Sequence, residues 1–295
     1  MNTPFPLILV DSSYFSFYRL HATKSWWNRA HPENKLANDS ELITIPGFLD
    51  KYSEHFMKHV QGIAKHFGTK LENIWFMRDC PQHTIWRVEL YPDYKAHRRD
   101  DCSQPNHVGP LIKWSNDNIL AKGPMKMIRI EKAEADDIIA TFTIQNHMEN
   151  QGARHCYIVG NDSDYFQLLR YNNIKLFKMA SNFKIEPIET NCTGDEYLNI
   201  KVISGDKTDN IMSLFSGCGK VTAKELYLNP NKLQEKLNDA AINQRYQLNF
   251  TLVDFRNIPA YIKDEILKHY PSFVIEPEPP IIKKKIILIK KLQPT

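Results

Sequence analysis

The sequence is short of most features that announce a protein class by themselves. No apolar run approaches the ~18 residues that a membrane helix needs, which excludes a helical membrane protein. The five cysteines, Cys80, Cys102, Cys156, Cys192 and Cys218, are odd in number and scattered, with no C-x-x-C spacing and no His pair beside them. A disulfide framework and a zinc site are therefore both disfavoured, and reduced thiols used as small hydrophobes are expected. Internal repeats and long low-complexity tracts are missing too. The first apolar stretch, Leu7 to Val10, runs into Asp11 with no basic residue before it, unlike a secretory signal, so an intracellular protein of the cytoplasm or nucleoid is expected. Neither sign of charge dominates: 38 Lys+Arg against 34 Asp+Glu leave +4 over 295 residues, a weak bias toward an anionic partner. What remains is a globular composition, 42% hydrophobic and 24% charged, long enough for one large domain with a small appendage.

Short apolar runs recur, each followed by helical patterning: Leu7 to Val10, Ile74 to Met77, Met127 to Ile130, Tyr157 to Val159 and Ile174 to Phe177. That alternation predicts an α/β fold with a mostly parallel sheet flanked by helices. Phe48, Tyr52, Phe56, Val60, Ile63 and Phe67 recur at three- and four-residue steps and predict an amphipathic helix; a second is expected over Ala133 to Met148. Lys24 to Ile45, with Trp26 and Trp27 but few periodic apolar positions, reads as a loop or insertion. Beyond about Glu189 helical patterns around Gly194 to Ile203 and Val221 to Tyr227 flank Gly-containing turns. Three segments are expected: 1–190, a helical unit over 191–275, and a Pro hinge with a lysine-rich tail over 276–295.

The acids fall where a parallel sheet forms ligand sites. Asp11 ends the first run, Asp79 the second, and Asp162 and Asp164 follow the fourth, all on one C-terminal sheet edge. Glu134, Asp136 and Asp137 sit at the mouth of the helix after the third run. Any one of them could be a helix N-cap. Seven carboxylates crowded without cations would repel one another and hold protons. Hard oxygen donors with no His or Cys favour Mg²⁺ or Mn²⁺, and this many acids could hold two ions ~3.5–4 Å apart, the arrangement that hydrolyses phosphodiesters. A structural calcium loop is the weaker rival, because no D-x-D-x-D-G sequence occurs.

Two further stretches point to nucleic acid. Arg78, Arg87, Lys95, His97, Arg98 and Arg99 interleave with Tyr91 and Tyr94, a mixture that suits phosphates and stacked bases, the alternative being a solvated basic helix. Gly217-Cys218-Gly219 before a helix offers backbone N–H groups to a phosphate, as in helix-hairpin-helix duplex binding, although a lone Gly-x-Gly also makes tight turns. Asp206 and Asp209 precede it and add two acids.

With these blocks in order, the chain resembles the flap endonuclease and 5′–3′ exonuclease superfamily from about Leu7 to about Tyr227. Leu9-Val10-Asp11 is similar to its first-strand motif, with Ser12 in place of the usual Gly. Arg87 with Tyr94-Lys95-x-x-Arg98 is similar to its arch segment, Glu134-Ala135-Asp136-Asp137 to its Glu-Ala-Asp-Asp motif, and Asp162/Asp164 and Asp206/Asp209 to its later acid pairs. The resemblance implies a PIN-like 5′-nuclease core with a helical arch near 80–120 and a C-terminal helix-hairpin-helix unit. It implies a first ion on Asp11, Asp79, Glu134 and Asp136 with Asp137 close by, a second on Asp162, Asp164, Asp206 and Asp209, and Glu134 bridging. Lys95 and Arg98 would meet the scissile phosphate, Tyr94 would stack on an unpaired base, and Arg19 and Arg87 would contact DNA. Gly217, Gly219, Lys220 and Thr222 would bind the duplex, with K⁺ held by hairpin carbonyls. The expected protein is a monomeric nuclease acting on 5′ flaps, nicks, free 5′ ends or RNA–DNA hybrids in replication and repair. A catalytically silent DNA-binding scaffold and a PIN-like ribonuclease are the alternatives. The tail would add phosphate contacts, dock a replication protein, or simply be a solvated end.

Overall fold

The computed structural model of the chain describes residues 5–36, 39–97 and 108–271. Six strands form one sheet: β1 (Leu7–Asp11), β2 (Ile74–Arg78), β3 (Lys126–Arg129), β4 (Cys156–Val159), β5 (Ile174–Met179) and β6 (Ile185–Pro187). Their order is β3-β2-β1-β4-β5-β6, parallel except for β6, which runs antiparallel to β5. The five expected strands are all present, and each lies within a residue or two of the apolar run that predicts it. The short sixth strand carries no such run. It forms because the chain reverses at Asn182 and Phe183, both in the left-handed region with φ 55° and 58°.

The helices are α1 (Ser12–Ala30), α2 (Phe48–Phe67), α3 (Trp86–Leu90), α4 (Gly109–Ser115), α5 (Ala135–Asn150), α6 (Gly194–Ser204), α7 (Lys220–Leu228), α8 (Pro230–Leu237), α9 (Ala240–Val253) and α10 (Ala260–Leu267). On α2 the predicted stripe of Phe48, Tyr52, Phe56, Val60 and Ile63 is fully buried against Ile8, Val10 and Phe76 of the sheet. Burying each such side chain contributes about 1.5–3 kcal/mol, which fixes this helix on one face. Helix α5 covers the other face with Ile138, Ile139 and Phe142.

One expectation about organisation needs correction. Lys24 to Ala30 is not loop but the last third of α1. Its aromatics are packing groups: the Trp27 ring lies 5.6 Å from Phe48, and Trp26 lies 5.3 Å from His55 with the Lys51 ammonium 4.4 Å from its ring centre. Sequence periodicity misses this because Trp26 and Trp27 are only half-buried and Trp26 meets polar partners. The helices beyond 190 also touch the first layer. Phe255, Ile258, Ile262 and Ile266 join Ile138 and Phe142 in one apolar cluster, so α10 returns to pack on α5. The lysine-rich tail lies outside the described residues. Among the described residues no helix is long and apolar enough to cross a membrane.

A candidate acidic active site

Parallel strands deliver their C-terminal ends to one edge, and the acids follow. Asp11, Asp79, Glu134, Asp136, Asp162, Asp164, Asp206 and Asp209 line one cavity of about 330 Å³, with Lys95 and Lys201 as its two cations. Eight acids the sequence singles out are thus brought together, from four strand ends and from the turn after α6.

Local structure aims each of them. Asp11 closes β1 and caps α1, accepting the Tyr14 N–H at 2.9 Å and the Tyr165 hydroxyl at 3.3 Å. Asp79 accepts the Ser13 hydroxyl at 2.9 Å and the Ala135 N–H at 2.8 Å. Asp164 N–H donates to Asp162 at 2.8 Å, and Thr208 N–H to Asp206 at 2.7 Å. Gly205, with φ 69°, turns the chain so that Asp206 and Ile211 exchange two backbone hydrogen bonds of 2.8 Å; a Cβ there would lie 2.4 Å from the Ile211 carbonyl. The same turn is tied to the basic segment, since Lys95 N–H donates to the Asp209 carbonyl at 3.0 Å and the Asn210 amide to the Asp93 carbonyl at 2.9 Å.

Electrostatics divide the cavity. Burial, then the neighbouring Asp79, push Asp11 up to about 7. Burial and Glu134 push Asp136 upward, and burial raises Asp209 against the pull of Lys95. Against these, Glu134 is held down at about 2: burial opposes ionisation, but Lys95 and Arg87 outweigh it, at 2.6 Å to Oε1 and 2.9 Å to Oε2. Asp206 is likewise held at about 2, with burial overcome by Lys201 at 2.6 Å. Among the described residues no three His, Cys, Asp or Glu side chains are already gathered as a metal cage. The Lys95 ammonium pairs with both Glu134 and Asp209, and that of Lys201 with both Asp164 and Asp206. The donor chemistry nevertheless fits divalent cations, because eight hard carboxylates face two lysines among the described residues and several are pushed toward protonation by burial and by one another.

Four predicted residues serve differently from expectation. Asp137 is fully buried behind the cavity, where Oδ2 accepts the Glu134 N–H and the Trp86 indole N–H at 3.0 Å each and Oδ1 pairs with Arg87 at 2.8 Å. It positions Glu134 and does not reach the cavity. Arg87 is 3% exposed and spends its guanidinium on Glu134, Asp137 and the Leu252 carbonyl, so no face is left for DNA. Tyr94 cannot stack on a base, because its ring is buried with Ile85, Leu198 and Val202 and its hydroxyl donates to Glu134 at 3.0 Å. Arg19 is buried over the rings of Tyr18 and Phe183, at 5.2 and 5.1 Å. Arg98 lies outside the described residues. Gly217, Gly219 and Lys220 are exposed and Thr222 half-exposed, at the tip between α6 and α7, with Gly217 at φ 79° and Gly219 capping α7. Sequence reasoning missed Lys201. Its only signal is a position three after buried Leu198 and beside Val202, on the inner face of α6.

An acid-edged, mostly parallel sheet with these crossovers defines a PIN-like α/β domain. The chain belongs to the family described as the 5′–3′ exonuclease N-terminal resolvase-like domain, whose model matches residues 6–197. It is 32% identical over 181 residues to a 5′–3′ exonuclease of Mycoplasmopsis pulmonis, covering 57% of this chain and 54% of that protein. It is 27% identical over 179 residues to the ribonuclease H of bacteriophage T4, covering 55% and 56%. The chain thus spans about half the length of these curated relatives. Among solved structures, the flap endonuclease of bacteriophage T5, crystallised with DNA and metal ions, shares the fold with a TM-score of 0.62 at 16% identity, covering 89% of this chain and 97% of that one.

Proposed function

We propose that the chain is a divalent-metal-dependent 5′-nuclease that hydrolyses phosphodiesters at 5′ flaps, nicks or free 5′ ends of DNA, and in RNA–DNA hybrids. The single observation that carries this reading is the cavity of eight carboxylates from four strand ends and the α6 turn. The names of the relatives, 5′–3′ exonuclease, ribonuclease H and flap endonuclease, support the substrate class. Mg²⁺ is the expected ion, with Mn²⁺ substituting and K⁺ at the hairpin tip. When bound, divalent ions supply an activated water and charge stabilisation for an in-line displacement.

The protein's own groups do the rest. Asp11, Asp79 and Asp136 hold one half of the metal site, and Asp162, Asp164, Asp206 and Asp209 the other. Glu134 acts as the anchor of Lys95, whose ammonium projects into the cavity from a backbone fixed at φ 53° by its hydrogen bond to Asp209. From there Lys95 meets a phosphate oxygen and orients the scissile bond. The exposed tip presents Lys220 and the N-terminus of α7 to the duplex backbone.

Cleavage of an end-labelled 5′-flap duplex, beside single-stranded DNA and an RNA–DNA hybrid, tests the reading. Cutting with Mg²⁺, abolished by EDTA and by Asp162→Ala/Asp164→Ala, is the expected result. Flap binding without cleavage in either Mg²⁺ or Mn²⁺ overturns it in favour of a silent DNA-binding scaffold.

A further inference from the structure

Among the described residues, Lys201 is the one charged residue of the cavity that no motif singles out. It sits on α6 with a side chain only 9% exposed, and its ammonium pairs with Asp164 Oδ1 and with Asp206 Oδ2 at 2.6 Å. Tyr197, one turn earlier on the same helix, donates its hydroxyl to Asp164 at 3.0 Å, so this carboxylate is fixed from two sides. The opposite half of the cavity is built differently. Asp11 and Asp79 are held by neutral donors: the Tyr14 N–H, the Tyr165 hydroxyl, the Ser13 hydroxyl and the Ala135 N–H.

We propose that Lys201 is an internal counter-cation that competes with a divalent ion for the Asp164–Asp206 half of the cavity, so that this half takes its ion weakly until DNA is bound. The inference rests on the metal-site reading above. An ammonium satisfies the two carboxylates with hydrogen bonds and directs their lone pairs at itself. A divalent ion placed among the same oxygens would lie a few ångströms from a positive charge in a site where water screens poorly. Either the ammonium withdraws or the ion stays out. Asp11 and Asp79 have only neutral partners to lose, and the nearby Lys95 pairs with Glu134 and Asp209 and not with them, so their half fills first. A phosphodiester in the cavity offers Lys201 alternative acceptors and releases Asp164 and Asp206, and by reciprocity ion binding there strengthens DNA binding.

The test is a Mn²⁺ titration of the full chain without DNA, read by the EPR signal of free Mn²⁺. Two classes of site are expected, the weaker abolished by Asp206→Asn. Lys201→Met should tighten the weaker class by about tenfold or more, or make it visible where the wild type shows one class, and leave the tighter class in place. Lys201→Arg, which keeps the positive charge, should keep that class weak, and near-UV circular dichroism checks that the variants are folded. A weaker class that is unchanged or loosened in folded Lys201→Met overturns the role of Lys201 alone. No Mn²⁺ bound by the wild type overturns the metal-site reading, and the inference with it.

Discussion

Replacing Arg87 by Met separates the two roles that a cation beside an acidic site can have. In the structure Arg87 is 3% exposed and pairs with Glu134 at 2.9 Å and Asp137 at 2.8 Å, while Nε donates to the Leu252 carbonyl at 2.8 Å and so ties α3 to the end of α9. Methionine fills much of the same volume but leaves Asp137 without its cation and Glu134 with Lys95 alone. Removing one partner of a buried pair costs about 3–5 kcal/mol. Lys95 still compensates Glu134, so the lower end of that range is expected, ~3 kcal/mol. Urea unfolding in EDTA at pH 8 should show a free energy of unfolding lowered by that amount, seen as a lower midpoint with an unchanged slope. The double variant Arg87→Met/Asp137→Asn should recover part of the loss, because it removes the charge left stranded. The affinity of the folded variant for a 5′-flap duplex should keep the wild-type salt dependence. If instead Arg87→Met unfolds like the wild type and its salt slope falls by about one phosphate contact, Arg87 is a DNA ligand and the burial argument is wrong.

Three other perturbations follow from the same geometry. Asp11, with a folded pKa of about 7 against 3.8 for the free group, binds more protons in the native state, so its penalty is absent at and below pH 4, grows between pH 4 and 7 and is full above 7. In EDTA, Asp11→Asn, which keeps the cap on Tyr14 N–H, should match the wild type at pH 4 and exceed it at pH 8 by up to about 4 kcal/mol, less what solvent at the cavity mouth screens; equal stability at pH 8 would contradict this. Gly62→Ala, ordinarily stabilising within a helix, should lower the melting temperature, because the new Cβ would lie 2.2 Å from the Phe183 carbonyl and push the β5–β6 turn off α2; a rise in melting temperature refutes the contact. Tyr94→Phe strips a buried hydroxyl from Glu134 and should cost about 1–3 kcal/mol in chemical denaturation while leaving flap affinity unchanged, whereas a loss of affinity for unpaired ends would restore the base-stacking role.

Much of the fold was legible because strand and crossover periodicity are local properties. The runs at Leu7, Ile74, Met127, Tyr157 and Ile174 and the Phe48–Phe67 stripe all became the elements they predict. The acids were legible for a related reason: parallel strands send every post-strand residue to one edge, so positions such as Asp11, Asp79 and Asp162 need no tertiary knowledge to be grouped. What stayed hidden was the direction of each side chain. Asp136 and Asp137 are adjacent on α5, and a 100° step is enough to turn one into the cavity and the other onto Arg87. The return of α10 to α5 also left no local trace, since its apolar residues predict a buried face but not which surface buries it.

The basic, aromatic segment from Arg87 to Lys95 shows why composition misleads beside an acidic edge. Cations and tyrosines near a cluster of carboxylates suit a nucleic-acid strand, but a cluster of buried carboxylates needs the same residues for itself. Glu134 alone takes Arg87, Lys95 and the Tyr94 hydroxyl, and it remains ionised down to about pH 2 as a result. Asp164 and Asp206 take Lys201 in the same way. The cations therefore fall into two groups by the depth of their charge. Arg87, buried on Asp137 behind the cavity and on the Oε2 of Glu134, is a fixed part of the scaffold. Lys95 and Lys201 hold acids that face the cavity, where, on the proposed function, an incoming phosphate or metal ion would compete for one side of each pair. On the proposed function, exchange at these two lysines would couple the acid edge to its substrate.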